Sequence, residues 1–405
     1  MRIALMASSF LPRVGGAEIV VDQLARRLKA RDHRVVVVTF PGLWRGCVGR
    51  LPYSVWPLLP WTWTNATQSK WQTGRQSSRW WSYLQARLLQ SSGRFDVVNI
   101  HMGYPLGMLM AAPLRDAGVP VVITCHGDDV QVLPERNYGW RLNPHLDKEI
   151  CGALRAASAV TAISPSIRDA CLGAGVKHEQ LVDIPNGVDV KRIAELPVDR
   201  KAIRRRLGWP EDAFVLLTVG RDHPVKNYSA IPGLMARFRN IHPKLVWAVI
   251  GAGVTRLRDE VTALGLSDRL CLHEQMQTTG AEGSGEYPPR ALIEAYRAAD
   301  VLVSVSLSEA MPVTVLEGMA AGLPVLATNV RGNRDVANAA TGFLLDADFG
   351  VAWENAITEL VGNETSRAAF VASALDRARE FDWTNVVLRY ERLYRSAMNR
   401  QLPGN

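Results

Sequence analysis

The sequence contains no C-x-x-C pair, and its five cysteines, Cys47, Cys125, Cys151, Cys171 and Cys271, are odd in number and widely spaced. That pattern argues against a disulfide framework and a thiolate metal site, and leaves reduced thiols in a cytoplasmic compartment as the simplest reading. No run of about 18 apolar residues occurs, so no membrane-spanning helix is expected. The opening Met1 to Phe10 has one basic residue and leads straight into Pro12 and Gly15-Gly16, which is too short and wrongly flanked for a signal peptide. Repeats of solenoid length are also missing. Between His33 and Phe95 there is not one Asp or Glu.

What is present describes a globular chain of more than one domain. Apolar residues make up 47% and charged residues 21% of 405 positions, in the ordinary range for folded proteins. The length exceeds one core at roughly 150 residues per domain. The net charge of +8 is uneven. Residues 1–190 hold 21 Lys/Arg against 14 Asp/Glu, whereas 191–405 hold 26 against 25. A basic surface favours anionic partners, be they phosphates, nucleic acid or lipid, without selecting among them.

Short β-branched runs alternate with helical patterns. Residues 2–8, 34–40, 96–101, 119–126 and 159–164 read as strands, and the pattern restarts with 214–220, 244–251, 269–273, 301–306 and 324–329. Continuous apolar runs suit strands covered on both faces of a parallel sheet. Alternation with helices implies right-handed βαβ units. The expected fold is therefore α/β, two Rossmann-like doubly wound domains facing one another across a cleft. Ligands in such sheets bind beyond the carboxyl ends of strands where the order reverses, which marks the stretches after residues 8, 125, 220, 251 and 306.

The richest of these is Ser308 to Val325. Glu309 stands where a strand ends, Pro312 suits a helix start, and Glu317 follows Glu309 by eight residues, a little over two helical turns. A helix start offers free amides and a positive dipole end to an anion such as a diphosphate. Two carboxylates there suit hydroxyls of a sugar rather than phosphate. The bland reading is a capping acid and a solvated glutamate. Val219 to Asn227 ends another strand with Arg221 and Lys226, two fixed cations able to neutralise a departing diphosphate. Such residues taken alone are usually plain surface charges. Gly15-Gly16-Ala17-Glu18 lets backbone approach a ligand closely, although a Gly-Gly turn is more often only geometry. Cys125-His126-Gly127-Asp128 follows a buried strand, and Ile184 to Asp189 reads as a turn and helix cap.

These stretches, in this order, resemble the retaining glycosyltransferases of family 4, which have the GT-B fold. The family's string carries two glutamates separated by seven residues; here Ala310 replaces a usual glycine, Gly318 a usual alanine, and Pro312 offers no N–H. The resemblance implies that Glu309 contacts the transferred sugar and Glu317 the ribose hydroxyls. It also implies that the loop backbone at Ala310, Met311 and Val313, with Gly15 and Gly16, takes part in donor binding. His126 would lie near the anomeric carbon, making His126, Glu309, Arg221 and Lys226 the catalytic set. Phe381 to Met398 resembles the family's last helix, which packs back on the N-terminal domain. The expected layout is an acceptor-binding domain at 1–195, a linker at 196–210, a donor-binding domain at 211–382 and the returning helix at 383–405.

The acid-free segment holds eight Lys/Arg and seven of the twelve tryptophans, among them Trp61, Trp63, Trp80 and Trp81. Indoles and cations together suit a lipid headgroup layer, and aromatic faces with cations also suit sugars and acceptor phosphates. Residues 44–87 are thus expected to shape an acceptor site, with Trp80, Trp81, Arg75 and Arg79 as its candidates, at the inner face of a membrane. A plain insertion whose tryptophans fill a core weighs about the same.

The function this supports is transfer of a sugar from a nucleotide-diphosphate sugar, with UDP- and GDP-sugars foremost, to a glycan or lipid-linked acceptor. No carboxylate is marked as a covalent nucleophile, which favours retention by a front-face route. No cofactor or metal is expected, because two side-chain cations can stabilise the leaving group, and no nucleic acid is expected as partner. The rivals are a nucleotide-sugar epimerase or hydrolase of the same fold, and a non-catalytic sugar or nucleic-acid binder. A dinucleotide enzyme built on Gly251-Ala252-Gly253 lacks the third glycine of G-x-G-x-x-G, since Arg256 stands there.

Overall fold

The computed structural model describes residues 1–47, 49–58, 79–274 and 286–399. The chain divides into two compact units, one running to Asn186 and resuming at Thr384, the other spanning Gly187 to Trp383.

The first unit is built on a seven-stranded sheet of β1 (Arg2–Ala7), β2 (Arg34–Thr39), β3 (Ser54–Pro57), β4 (Val97–His101), β5 (Val121–Cys125), β6 (Ala159–Ala162) and β7 (Leu181–Asp183). Their order is β3-β2-β1-β4-β5-β6-β7, and every pairing is parallel. The second has six strands, β8 (Phe214–Val219), β9 (Leu245–Ile250), β10 (Leu270–His273), β11 (Val301–Ser304), β12 (Val325–Thr328) and β13 (Gly342–Leu345), in the order β10-β9-β8-β11-β12-β13, again all parallel. Inner strands such as β9 are buried along their whole length, as their unbroken apolar runs require. Sequence reading missed β3, β7 and β13. All three lie at sheet edges, where a strand is short and lacks the continuous apolar signature.

The core of the second unit gathers Trp247, Trp353 and Phe238. The Trp247 indole N–H donates to Thr218 Oγ1 at 3.0 Å, and that of Trp353 to the Asp346 carbonyl at 2.9 Å, so both large rings bury without an orphaned donor. The stretch expected as a linker carries a helix, Arg200–Leu207, pinned to this unit through the buried Arg204. Its guanidinium pairs with Asp300 at 2.8 Å and donates to the carbonyls of Ala298, Glu211 and Ala213. A polar side chain with this many partners is a fixed joint rather than a flexible tether.

The last helix, Trp383–Asn399, attaches to the first unit by a buried polar ladder. Asn99 on β4 donates to the Tyr394 hydroxyl at 2.8 Å, Thr124 on β5 donates to Asn99, and Thr161 on β6 to Thr124. Beside it Glu391 receives Arg31 and His33. Burial pushes the Tyr390 phenol up to about 12, which keeps this layer uncharged.

Near the helix's start, Val188 and Asp382 form an isolated parallel bridge, with Val188 N–H donating to the Phe381 carbonyl at 2.9 Å and Trp383 N–H to the Val188 carbonyl at 3.1 Å. A Cβ on Gly187 would lie 2.2 Å from the Trp383 indole, which no side chain tolerates. Gly187→Ala should therefore cost about 1–3 kcal/mol by overpacking, seen as a lowered thermal midpoint that Trp383→Leu partly restores. A Gly187→Ala protein that melts like the wild type would show that this junction yields freely.

Candidate functional site

In the second unit the strand order reverses between β8 and β11, and the loops leaving these two strands build a small pocket lined by Thr218, Lys226, Tyr228, Ser304, Ser306 and Glu309 among others. The loop after β8 tightens into a turn, Pro224–Lys226, closed by Asn227 in the left-handed region. The loop after β9 presses on it so closely that a Cβ on Gly251 would lie 1.8 Å from the Gly220 carbonyl oxygen. Leu307 N–H donates to the Val225 carbonyl at 2.7 Å and so joins the β8 and β11 loops. Thus Lys226 arrives from one strand and Glu309 from the other, with Nζ 2.5 Å from Oε1. Ser306 donates to the same Oε1 at 2.7 Å, a charge-assisted contact.

Gly332 secures Glu309 from behind. Its φ is +83°, and a Cβ there would stand 2.5 Å from the Glu309 carbonyl oxygen, so only glycine serves on both counts. Tyr228 closes the floor of the pocket; burial, and then the negative charge of Glu309, push its phenol far up. The His223 imidazole is held down by burial, then by Arg221 and Lys226.

The helix Val313–Ala320 follows, with Pro312 at its N-cap and no side chain capping it. Because the helix starts only at Val313, the eight residues from Glu309 to Glu317 are not two helical turns, as the spacing had suggested. Glu309 lines the pocket, while Glu317 is 1% exposed and takes the Tyr296 hydroxyl on Oε2 at 2.8 Å. Burial, opposed by that bond and by Arg192, raises its carboxyl to about 8. Ala310 and Val313 are half-buried, Met311 is buried, and Arg221 is exposed at the start of its loop.

The first unit places a second cluster. Gly15 caps the helix Gly16–Ala30 with extended φ, and a Cβ on Gly16 would meet nothing within 4 Å. His126 follows β5 and lies against His101, the last residue of β4: Nε2 and Nδ1 are 3.0 Å apart and the rings stack with centroids 5.2 Å apart. The buried Asp129 fixes both turns by accepting from the backbone N–H groups of His126, Gly127 and Gly103 at 3.0, 2.9 and 2.7 Å. Burial lowers the pKa of both imidazoles.

Of the acceptor candidates, Trp80 is 67% exposed on the helix Arg79–Gly93, with the Trp81 ring 5.3 Å away, edge to face. Arg75, with Trp61 and Trp63, lies outside the described residues, and so does the Arg79 side chain. Most of the Gly/Ser-rich stretch 277–288 does too. Asp346 and Asp348 form an Asp-x-Asp spelling after β13, and there Asp348 Oδ1 accepts from the Gly350 amide at 3.0 Å, a turn function. Among the described residues no three His, Cys, Asp or Glu side chains converge as a metal site, and no helix is long and apolar enough to cross a membrane. Gly251 packs on backbone and is followed by a short 3-10 turn, Val254–Leu257, not by the open helix start a dinucleotide needs.

The sequence reading did not single out Ser306, Tyr228, Gly332 or His101. Only Gly332, after a strand and beside Arg331, carried a visible turn signal.

Residues 14–192 match the family described as Glycosyltransferase Family 4, and residues 199–377 match Glycosyl transferases group 1. The D-inositol 3-phosphate glycosyltransferase of Stackebrandtia nassauensis is 34% identical over 338 residues, covering 78% of this chain and 72% of that one. The phosphatidyl-myo-inositol mannosyltransferase of Mycobacterium leprae is 26% identical over 420 aligned residues, covering 97% and 96%. Among solved structures, Anabaena HepE in complex with UDP superposes with a TM-score of 0.76 at 19% identity, covering 98% of this chain and all of that one.

The Glu317 carboxyl makes stability depend on pH. Its folded pKa of about 8 lies above the ordinary 4.5, so its contribution to stability is full below about pH 4.5, declines as pH rises, and is gone above about pH 8. Glu317→Gln, neutral at every pH, removes this slope. Between pH 6 and 9 the wild type should lose stability relative to the variant in thermal melts; parallel curves would mean that Glu317 is not held protonated.

Proposed function

The chain belongs to the family 4 glycosyltransferases of GT-B fold, and we propose that it moves a sugar, with retention, from a nucleotide-diphosphate sugar to a hydroxyl of an inositol phosphate or a phosphatidylinositol-type lipid. The acceptor class is supported by the activities for which the relatives are named, and a uridine donor by the UDP held by the structural neighbour. The observation that carries the donor reading is the Lys226–Glu309 pair, set at the strand reversal beside an uncapped helix start. Lys226, Arg221 and the amides of that helix receive the diphosphate. Glu309 accepts hydroxyls of the sugar, and Glu317 takes the ribose through Oε1, since Oε2 is engaged by Tyr296.

The transfer then runs on one face of the sugar. The bond from the anomeric carbon to the diphosphate oxygen breaks, the acceptor oxygen bonds to that carbon on the same side, and the acceptor's proton passes to the departing phosphate. Side-chain cations, not a metal, neutralise the leaving group in this reading.

UDP should raise the thermal midpoint in the presence of EDTA, a ligand at 100 times its Kd adding about 2.7 kcal/mol. Lys226→Ala should lower turnover by about two orders of magnitude, the usual loss for one preorganised charge contact. Stabilisation by no nucleoside diphosphate, or a variant within about threefold of wild type, would remove this assignment. Release of free sugar without any acceptor requirement would point to the hydrolase alternative.

A lipid acceptor gives the helix Arg79–Gly93 a role. Trp80, Leu84 and Leu88 repeat every four residues and are all exposed, and the sequence around them has cations but no acid from 33 to 95. We propose that this stripe rests on an anionic bilayer, rings at the boundary and cations on headgroups. Leu84→Ser/Leu88→Ser should reduce sedimentation with phosphatidylglycerol-containing vesicles while leaving transfer to a water-soluble inositol phosphate unchanged. Equal sedimentation of variant and wild type would discard the membrane role.

A further inference from the structure

We propose that His101 is a positioning residue that holds His126 in the tautomer protonated on Nδ1, so that His126 offers its ligand an N–H donor and not a base. This rests on the reading of His126 as a sugar contact only for its catalytic consequence.

The two rings are placed by backbone, not by chance contact. β4 and β5 are paired neighbours with His101 opposite Thr124, and Asp129 clamps the turns after both strands through three backbone N–H groups. The 3.0 Å separation of His101 Nδ1 from His126 Nε2 requires one proton between two nitrogens. Both rings are neutral, because burial disfavours a charge on either and the His126 ring opposes charge on His101; Asp129 and Glu18 act on His126 in the opposite sense without overcoming burial.

Two arrangements remain. If His126 donates through Nε2, His101 must carry its own proton on Nε2, an atom that is buried with no hydrogen-bond partner among the described residues. That leaves an orphaned N–H at a residue only 2% exposed. If His101 donates through Nδ1, the orphan at Nε2 is a lone pair, and His126 holds its proton on Nδ1. A buried N–H without an acceptor is the rarer and costlier defect, so the second arrangement holds. His126 then cannot take the acceptor's proton, in agreement with a leaving phosphate that does so.

The test is the nitrogen-15 spectrum of the histidines in wild type, His101→Asn and His101→Leu, with His126→Gln to assign the ring. The Asn amide nitrogen takes the place of Nδ1 and can still donate to His126 Nε2; Leu cannot. Wild type and His101→Asn should show His126 protonated on Nδ1, and His101→Leu should shift it to Nε2, the form free imidazoles prefer. In transfer assays His101→Leu should lower kcat by about tenfold, the worth of one misdirected hydrogen bond, with donor KM nearly unchanged and most activity restored in His101→Asn. Nε2 protonation in the wild type, or one tautomer in all three proteins, overturns the proposal even if a variant folds poorly. A tautomer switch without loss of kcat upholds the role of His101 and instead removes His126 from the sugar site.

Discussion

Every strand pair in both sheets is parallel, and the rest of each unit depends on that constraint. Parallel neighbours cannot be joined by a hairpin; each connection leaves the sheet, packs on a face and returns from the far end. Both faces are therefore covered, and both sheets grow first to one side of their founding strand and then to the other. β1 has β2 and β4 as neighbours, β8 has β9 and β11. Where growth reverses, the outgoing loops part and leave a crevice. In the second unit Lys226 and Glu309 enter it from its two sides, 83 positions apart in sequence and 2.5 Å apart in space.

The parallel architecture was legible because it writes itself into composition. Strands such as β2 and β9 are unbroken apolar runs, and all ten anticipated segments lie at or within a residue or two of observed strands. The three missed strands lack that mark because an edge strand is covered less completely and needs less apolar residue; Ser54–Pro57 even ends in proline, which only an edge accepts. The residues of the pocket were legible where a loop begins after a strong strand, as for Lys226 and Glu309.

Other features were closed to sequence reasoning for a common reason: they depend on which atom faces which across segments far apart. Nothing local marks Gly332 as the backing of Glu309, or Leu302 as the side chain that fills the space a Cβ at Gly318 would need, 2.6 Å from its Cδ2. The family's alanine is thus replaced by glycine at a point where this chain has packed a leucine against the helix. The eight-residue spacing of the two glutamates misled for a related reason. Periodicity predicts direction only inside one regular element, and here half the interval is loop.

The ion pair in the second unit's crevice answers an electrostatic difficulty that the proposed chemistry raises. A carboxylate needed for sugar hydroxyls must stand near an incoming diphosphate, and two like charges about 4 Å apart at a partly buried site oppose each other by about 4 kcal/mol. Lys226 cancels that opposition before any ligand arrives, since its ammonium rests on Glu309. An ammonium has three rotatable donors, so it can keep Glu309 on one and offer the others to phosphate oxygens. An arginine would commit its planar fork to the carboxylate and present little to a second anion from another direction. The loop's other cation, Arg221, stands exposed at its mouth, where a planar fork suits the two oxygens of a phosphate. In the proposed chemistry, lysine against the carboxylate and arginine towards solvent would let one small crevice hold an acid and attract an anion together.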